Sequence, residues 1–479
     1  MRKIEFDFSH KTNALKHQIE AIEFIKKNKN TPLFDEQGLG KSKIVIDALI
    51  ENIKNGEIDC VLVICEKGLL NTWKKEVEKH SFLMATVLSN TSTYSRGRRF
   101  LQFSQFYIIN YESLIQEIER IKMFLKLRKF AIVLDESQKI KNPHSKITQK
   151  IFEIKDLCIK KIIVTGTPIS NKPEDLWSQF FFLDGGETLG KDFKAFQKRV
   201  DIKLKGKQSL EAYEDSLRAI QNRINKISIR RTKDVLELPE KIYKENYVTL
   251  SGKQKETYEQ VKKELYLEIK NADGKDVIEK IDNYLVKLLR LTQVASNPLL
   301  IDDSYDQVPA KFLALDKLVE GIMNKSEKVI IWSSFRKNIR LLRNRYKNFG
   351  SLMIFGEIPI AERNEIVEKF TENEENKVLI ANPAAAGVGL TLISASNAIY
   401  LDRNFKMDEY VQSQDRIHRI GQTKKCNIIR IMALGTIDMY IDEIIEKKDI
   451  LARFTLGDIK TLKTPRQFLT KEDLLKILG

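Results

Sequence analysis

Short β-branched runs recur along this 479-residue chain, and several lack the polar–apolar alternation of a strand that has one wet face. In the first part they are TPLFD (31–35), CVLVIC (60–65), FYIINYE (106–112), AIVLDE (131–136) and KIIVTGT (161–167). Helix-like segments such as Lys41–Lys54 and Gly68–His80 lie between them. Strands buried on both faces and joined by helices are the pattern of a parallel α/β sheet. From roughly Pro173 to Pro309 strands are scarce, and Ile278, Ile281, Leu285, Leu288 and Leu289 recur at helical spacing, as on a packed helical face. The runs then resume as KVIIWSSF (328–335), LMIFG (352–356), KVLIANP (377–383), NAIYLD (397–402) and NIIRIMAL (427–434), which predict a second parallel sheet. The final stretch, 451–479, is mostly helical and basic in pattern and would serve as a brace or a loose tail.

Charge narrows the partners. Lys and Arg number 82 against 66 Asp and Glu, a net charge of +16, which suggests a polyanion such as nucleic acid or else a solvated basic surface. Cys60, Cys65, Cys158 and Cys426 form no C-x-x-C pair and the five histidines are scattered, so buried reduced thiols are expected rather than a zinc site or disulfides. No run of about 18 apolar residues suggests a membrane span. The opening MRKIEFDFSHK has no apolar core or cleavage site, and an intracellular location is expected.

The segment FDEQGLGKS (34–42) follows an expected strand and opens an expected helix. That is the setting of a phosphate loop, although Asp35 stands where the common pattern G-x-x-x-x-G-K-[ST] has its first glycine. Gly38 and Gly40 would let backbone amides approach phosphate oxygens, Lys41 would reach the β- and γ-phosphates, and Ser42 would ligate Mg²⁺. Asp135 and Glu136 end a strand-like run. Asp135 would hold Mg²⁺ through water, and Glu136 would orient or deprotonate an attacking water. An ordinary charged strand end is the alternative. Thr165 and Thr167 flank Gly166 after another strand, as a link from the nucleotide to a moving neighbour or as a routine turn. In QSQDRIHRIGQ (412–422), Arg416 and Arg419 are three apart and would share a helical face. Nearby, AAAGVGLTL (384–392) has paired glycines, including Gly389, but no following lysine. The two arginines can then act as arginine fingers on the first unit's nucleotide, or lie on an exposed basic helix.

In this order, the segments resemble those of the SWI/SNF-type DNA-translocating ATPases of helicase superfamily two, over nearly the whole chain. LKHQIEAIEFI resembles the family's opening segment, and DEQGLGKS is close to its D-E-M-G-L-G-K-T, so Asp35 is the family's own variant of the loop. VLVICEKGLLNTWKKEVEKH looks like motif Ia, ending in Trp73 and Glu76, and INYESL resembles a Tyr-Glu element. LDESQKIKN resembles the D-E-A-H box, with Ser137 and Gln138 for Ala and His, and VTGTPISN resembles motif III. IRRTKDVLELPEK (229–241) and ASNPLL (295–300) resemble stretches of the family's helical protrusions. IIWSSF, GVGLTL and QSQDRIHRIGQ look like motifs IV, V and VI.

The resemblance implies two RecA-like P-loop lobes with helical insertions at their junction. The expected parts are a first lobe, 1–175; protrusions and linker, 176–310; a second lobe, 311–450; and the tail or brace, 451–479. ATP and Mg²⁺ would be held by Gln18, which would read adenine, by Asp35, Glu36, Gln37, Gly38, Leu39, Gly40, Lys41 and Ser42, and by Asp135, Glu136 and Gly389, with Arg416 and Arg419 contributing. The implied partner is duplex DNA, bound without sequence preference, with RNA less favoured, no membrane, and protein partners unassigned. The implied activity is a DNA-stimulated ATPase that translocates. A strand-separating DNA or RNA helicase, and a binding module with a vestigial ATPase, are the alternatives. No chromodomain, bromodomain, zinc-finger or nuclease motif is recognisable. The Lys- and Ile-rich composition with ten prolines suggests a prokaryotic or viral source, and hence a cytoplasmic protein.

Overall fold

The computed structural model describes residues 6–89, 93–200, 210–271, 281–386, 389–462, 475 and 478. The chain divides into two compact units, Met1–Glu237 with Ile450–Pro465, and Leu238–Asp449 with Arg466–Gly479.

The first unit is built on a six-stranded parallel sheet of β1 (Asn30–Leu33), β2 (Cys60–Cys65), β3 (Ala85–Val87), β4 (Phe106–Asn110), β5 (Phe130–Asp135) and β6 (Lys160–Val164), in the order β1-β6-β5-β2-β4-β3. Every residue of β2, β4, β5 and β6 is buried, as the unbroken apolar runs require of strands covered on both faces. Val61 and Val63 of β2 share a core with Ile44 and Leu49 of the helix Lys41–Lys54 and with Trp73 and Val77 of the helix Leu70–His80. The register of the sheet matters most for function. Val164 pairs with Leu33 on one side and Asp135 on the other, so β1, β6 and β5 reach their carboxyl ends in one row. The loops that follow them are neighbours for that reason, at the edge where ligands bind in parallel α/β sheets.

The second unit repeats the principle with β7 (Lys241–Val248), β8 (Val329–Trp332), β9 (Leu352–Ile354), β10 (Val378–Ala381), β11 (Asn397–Tyr400) and β12 (Cys426–Ala433), all parallel, in the order β7-β12-β11-β8-β10-β9. Val329, Ile331, Val378, Ile380 and Ile399 pack on Leu315, Val319 and Leu342 of flanking helices. A buried carboxylate ties the expected motif stretches together here. Asp402 accepts from the Ser296 and Ser333 hydroxyls at 3.0 and 2.7 Å and from the Ser334 amide at 2.6 Å, and burial raises its pKa.

The two expected sheets are present. The expected strand-poor middle nevertheless contains β7, and the first sheet has an extra short strand, β3. Ile278 of the expected helical face, with the side chains of Ile281 and Leu285, lies outside the described residues, whereas Leu288 is buried in the helix Ile281–Ser296. Cys60, Cys65 and Cys426 are buried, Cys158 is half-buried, and all four are free thiols. Among the described residues no helix is long and apolar enough to cross a membrane.

Candidate nucleotide site

The segment after β1 turns back on itself through Gly38 and Gly40, at φ +91° and +80°. Gly40 caps the helix Lys41–Lys54, and a Cβ there would overlap Gln18 Nε2, so the position excludes a side chain as well as favouring left-handed backbone. As at any helix start, the first amides have no partner within the helix, and their partial positive charge lies beside the loop. Lys41 Nζ donates to the carbonyls of Asp35 and Glu36 at 2.9 and 3.0 Å, folded over the ring it encloses. Ser42 is the second residue of that helix. Gln18 braces the loop: its Nε2 donates to Leu39 O at 3.1 Å, while its Oε1 accepts from Leu15 N at 2.9 Å.

Asp35 is fully buried and carries a carboxylate where a glycine is usual, so it needs a cation. Arg231 supplies one in fork geometry, Nε to Oδ1 at 3.1 Å and Nη2 to Oδ2 at 2.7 Å. The same segment runs beside the loop as a strap. Ile229 O and Arg231 O accept from Phe34 N and Glu36 N at 2.9 and 3.0 Å, and Glu36 Oε2 accepts from Lys233 N at 2.8 Å. Arg230 donates to Phe34 O at 2.7 Å and grips both carboxylate oxygens of Asp458 at 2.7 and 2.6 Å. The resemblance marks the I-R-R-T-K stretch without giving it a task at the loop. No spacing rule links Arg231 to Asp35, although a charged residue in the loop's first position is itself a signal that a partner must exist.

At the end of β5, Asp135 Oδ2 accepts from the Trp73 indole at 2.7 Å and Oδ1 from Glu136 N at 3.0 Å. Tyr111 OH donates to the Asp135 carbonyl at 2.8 Å. Trp73 and Tyr111, from the two motif stretches with no assigned role, thus hold the strand end, while Glu76 pairs with His80 instead, at 3.2 Å. Burial, and then the neighbouring Glu136 charge, raise the Asp135 pKa to about 7. The Lys41 charge acts to lower that pKa but is outweighed. A buried carboxylate whose hydrogen-bond donors are neutral, at the carboxyl end of a strand one removed from the strand that opens the loop, fits a divalent cation. Among the described residues no cluster of three or more His, Cys, Asp or Glu gathers as a metal cage, so such an ion would take most of its shell from phosphates and water. Glu136 sits in left-handed backbone at φ +49°, and its carboxylate meets Gln37 of the phosphate loop and Gln138. After β6, Thr165 Oγ1 accepts from Thr167 N at 3.0 Å, closing the turn around Gly166. The structure therefore brings Gln18, residues 35–42, Asp135, Glu136 and the Thr165–Thr167 turn together in the first unit.

In the second unit the expected helical face for Arg416 and Arg419 is not formed. The helix Met407–Gln414 ends before them, and the chain turns through Gly421 at φ +100°, where the Gln422 amide donates to the carbonyls of Ile393, Ala395 and Ile417 at 3.2, 3.1 and 2.9 Å. The two side chains still converge, because Arg416 Nη1 and Arg419 Nη1 both approach Leu390 O, at 3.4 and 3.5 Å. Arg419 also donates to Thr391 Oγ1 at 2.9 Å. Gly389 adjoins them at φ +73°, while Gly387 and Val388 of the same motif lie outside the described residues.

A parallel sheet whose first strand opens into this glycine loop, with an Asp-Glu pair ending a strand one removed, is the arrangement of a P-loop protein. The chain belongs to the SNF2-related family: the SNF2-related domain matches residues 17–300, and the helicase conserved C-terminal domain matches 310–421. An uncharacterized ATP-dependent helicase of Mycoplasma genitalium is 30% identical over 489 residues, covering 99% of this chain and 45% of that protein. The ATPase of the ISWI chromatin-remodeling complex of Saccharomyces cerevisiae is 25% identical over 471 residues, covering 93% of this chain and 41% of that protein. Among solved structures, the Sulfolobus solfataricus SWI2/SNF2 ATPase core in complex with dsDNA is 26% identical with a TM-score of 0.45, covering 99% of both chains. The chain spans about half or less of the length of the curated relatives it matches.

Proposed function

We propose that this chain is the motor part of an ATP-dependent DNA translocase, which hydrolyses ATP to ADP and phosphate, moves along duplex DNA and displaces what is bound there. The observation that carries the reading is the row of three loops at the carboxyl edge of the first sheet, in a chain of the SNF2-related family. In this reading Lys41 and the amides of 38–42 bind the phosphates, and Gln18 lies against the adenine. Ser42 and Asp135 would hold Mg²⁺, whose charge would offset that of the β- and γ-phosphates. Glu136 orients the attacking water and takes its proton, and Arg416 and Arg419 supply positive charge to the departing γ-phosphoryl group. The excess of basic residues supports a nucleic-acid track held through its phosphates, which carry no sequence information.

The test is the rate of phosphate release with duplex DNA, single-stranded DNA, RNA or no nucleic acid. Duplex DNA should raise it most, and a rate indifferent to DNA, or one answering better to RNA, overturns the assignment. Lys41→Ala should weaken both ATP binding and turnover. Glu136→Gln should keep Mg-ATP and lose hydrolysis, and parental turnover in that variant removes Glu136 from its role. Unwinding of a forked duplex would instead make the chain a strand-separating helicase.

A further inference from the structure

Two of the chain's departures from the family motifs around the nucleotide are glutamines, Gln37 where D-E-M-G-L-G-K-T has Met and Gln138 where D-E-A-H has His. Both side chains end on one carboxylate. Gln37 Nε2 donates to Glu136 Oε1 at 3.0 Å, and Gln138 Nε2 donates to Glu136 Oε2 at 2.7 Å. Each oxygen thus takes one amide donor. An ionised carboxylate has about four acceptor sites, so capacity for a water remains. The two donors come from different elements, one from the phosphate loop after β1 and one from the short turn of helix Ser137–Ile140 after β5. Gln37 is also backed by the turn after β6, where a Cβ on Gly166 would come within 3.1 Å of Gln37 N and 3.2 Å of its Cγ. Glu136 has left-handed backbone, φ +49° and ψ +53°, which a non-glycine residue keeps only where its surroundings fix it.

We propose that Gln37 and Gln138 are positioning residues, an amide clamp that fixes the Glu136 carboxylate and ties its place to that of the phosphate loop. The proposal rests on the reading of Glu136 as the group that orients the attacking water. A methionine at position 37 has no N–H to offer, so the glutamine adds a donor that the family's loop lacks and makes the base and the loop move together.

Gln37→Met and Gln138→Met keep side-chain length and delete one donor each. With saturating DNA, the double variant should lose about ten- to a hundredfold in kcat while KM for ATP stays within about threefold of the parent, since a misplaced base slows chemistry without loosening the phosphates. A kcat within about twofold of the parent, or a loss carried by KM alone, overturns the clamp. A second measurement needs no turnover. In the nucleotide-free chain, Gln138→Met should lower the thermal midpoint by about 2–4 °C, and the drop should vanish in a Glu136→Met background, where no carboxylate remains to be held. An equal change in both backgrounds, zero included, overturns the clamp. If the parent does not hydrolyse ATP with or without DNA, the proposed function fails on its own account, and the melting comparison still decides the clamp.

Discussion

At Asp135 a carboxyl group in the folded chain holds its proton more tightly than it would in water, because burial and the Glu136 charge raise its pKa from 3.8 to about 7. The folded state therefore binds more protons than the unfolded state between those values. The stability this group contributes is complete below the lower value and is lost as pH rises through the upper one. Asp135→Asn cannot titrate. Without nucleotide or Mg²⁺, the thermal midpoint of the parent relative to Asp135→Asn should fall between about pH 5 and about pH 8. A difference that stays constant across that range would mean that Asp135 is already ionised in the free protein. As candidates, Lys41, Asp135 and Glu136 were legible in the sequence because phosphate chemistry asks for those residue types at short, recognisable spacings. The contacts of Trp73 and Arg231 were not, since the indole reaches Asp135 from 62 positions away and the guanidinium reaches Asp35 from 196. Only the folded sheet makes them neighbours.

At the scale of elements, continuous apolar runs reveal covered strands well and edge strands unevenly: β1 and β9 were legible, β3 and β7 were not. CVLVIC became β2 without adjustment, and both of its flanks are covered by other strands. KIYKENYV became β7, although Tyr243 and Tyr247 are exposed and charged residues interrupt any pattern, because an edge strand has a partner on one side only. The strap Ile229–Lys233 was illegible for a related reason: it runs beside β1 through scattered backbone hydrogen bonds and two arginines rather than through an apolar face. Its importance can be measured. Arg231→Ala leaves the buried Asp35 charge without its partner and should cost about 3 kcal/mol in unfolding free energy. Asp35→Gly combined with Arg231→Ala removes the stranded charge and restores the commoner loop residue, so the double variant should regain a large part of that loss. If the double variant is as unstable as Arg231→Ala alone, the pairing with Asp35 is not what Arg231 does for the fold.

For the whole molecule, the expected division of labour is between a first unit that holds the nucleotide's phosphates and arginines of the second unit that act on the same reaction. The second sheet was legible from its apolar runs, and Arg416 and Arg419 were legible from the H-R-I-G-Q stretch, yet the turn that carries them was not, because its shape is set by Gly421 and the Gln422 amide rather than by helical periodicity. On the proposed function, DNA affinity should fall steeply with salt, with a log–log slope of about −0.9 for each neutralised phosphate, and should be alike for unrelated duplexes. Arg419 then separates chemistry from track binding. A guanidinium that meets the γ-phosphoryl group in the transition state accelerates transfer by roughly 10³–10⁵. Arg419→Ala should therefore leave DNA binding nearly intact and weaken ATP binding modestly, while DNA-stimulated hydrolysis drops by at least about a hundredfold. An arginine that serves only its own turn, through Leu390 O and Thr391 Oγ1, predicts a lower melting midpoint with hydrolysis per folded molecule preserved. An arginine that contacts the DNA backbone predicts weaker binding, a shallower salt slope and full turnover at saturating DNA. Phosphate release measured against DNA concentration distinguishes the three, because only the first leaves the half-saturating DNA concentration in place while the plateau collapses.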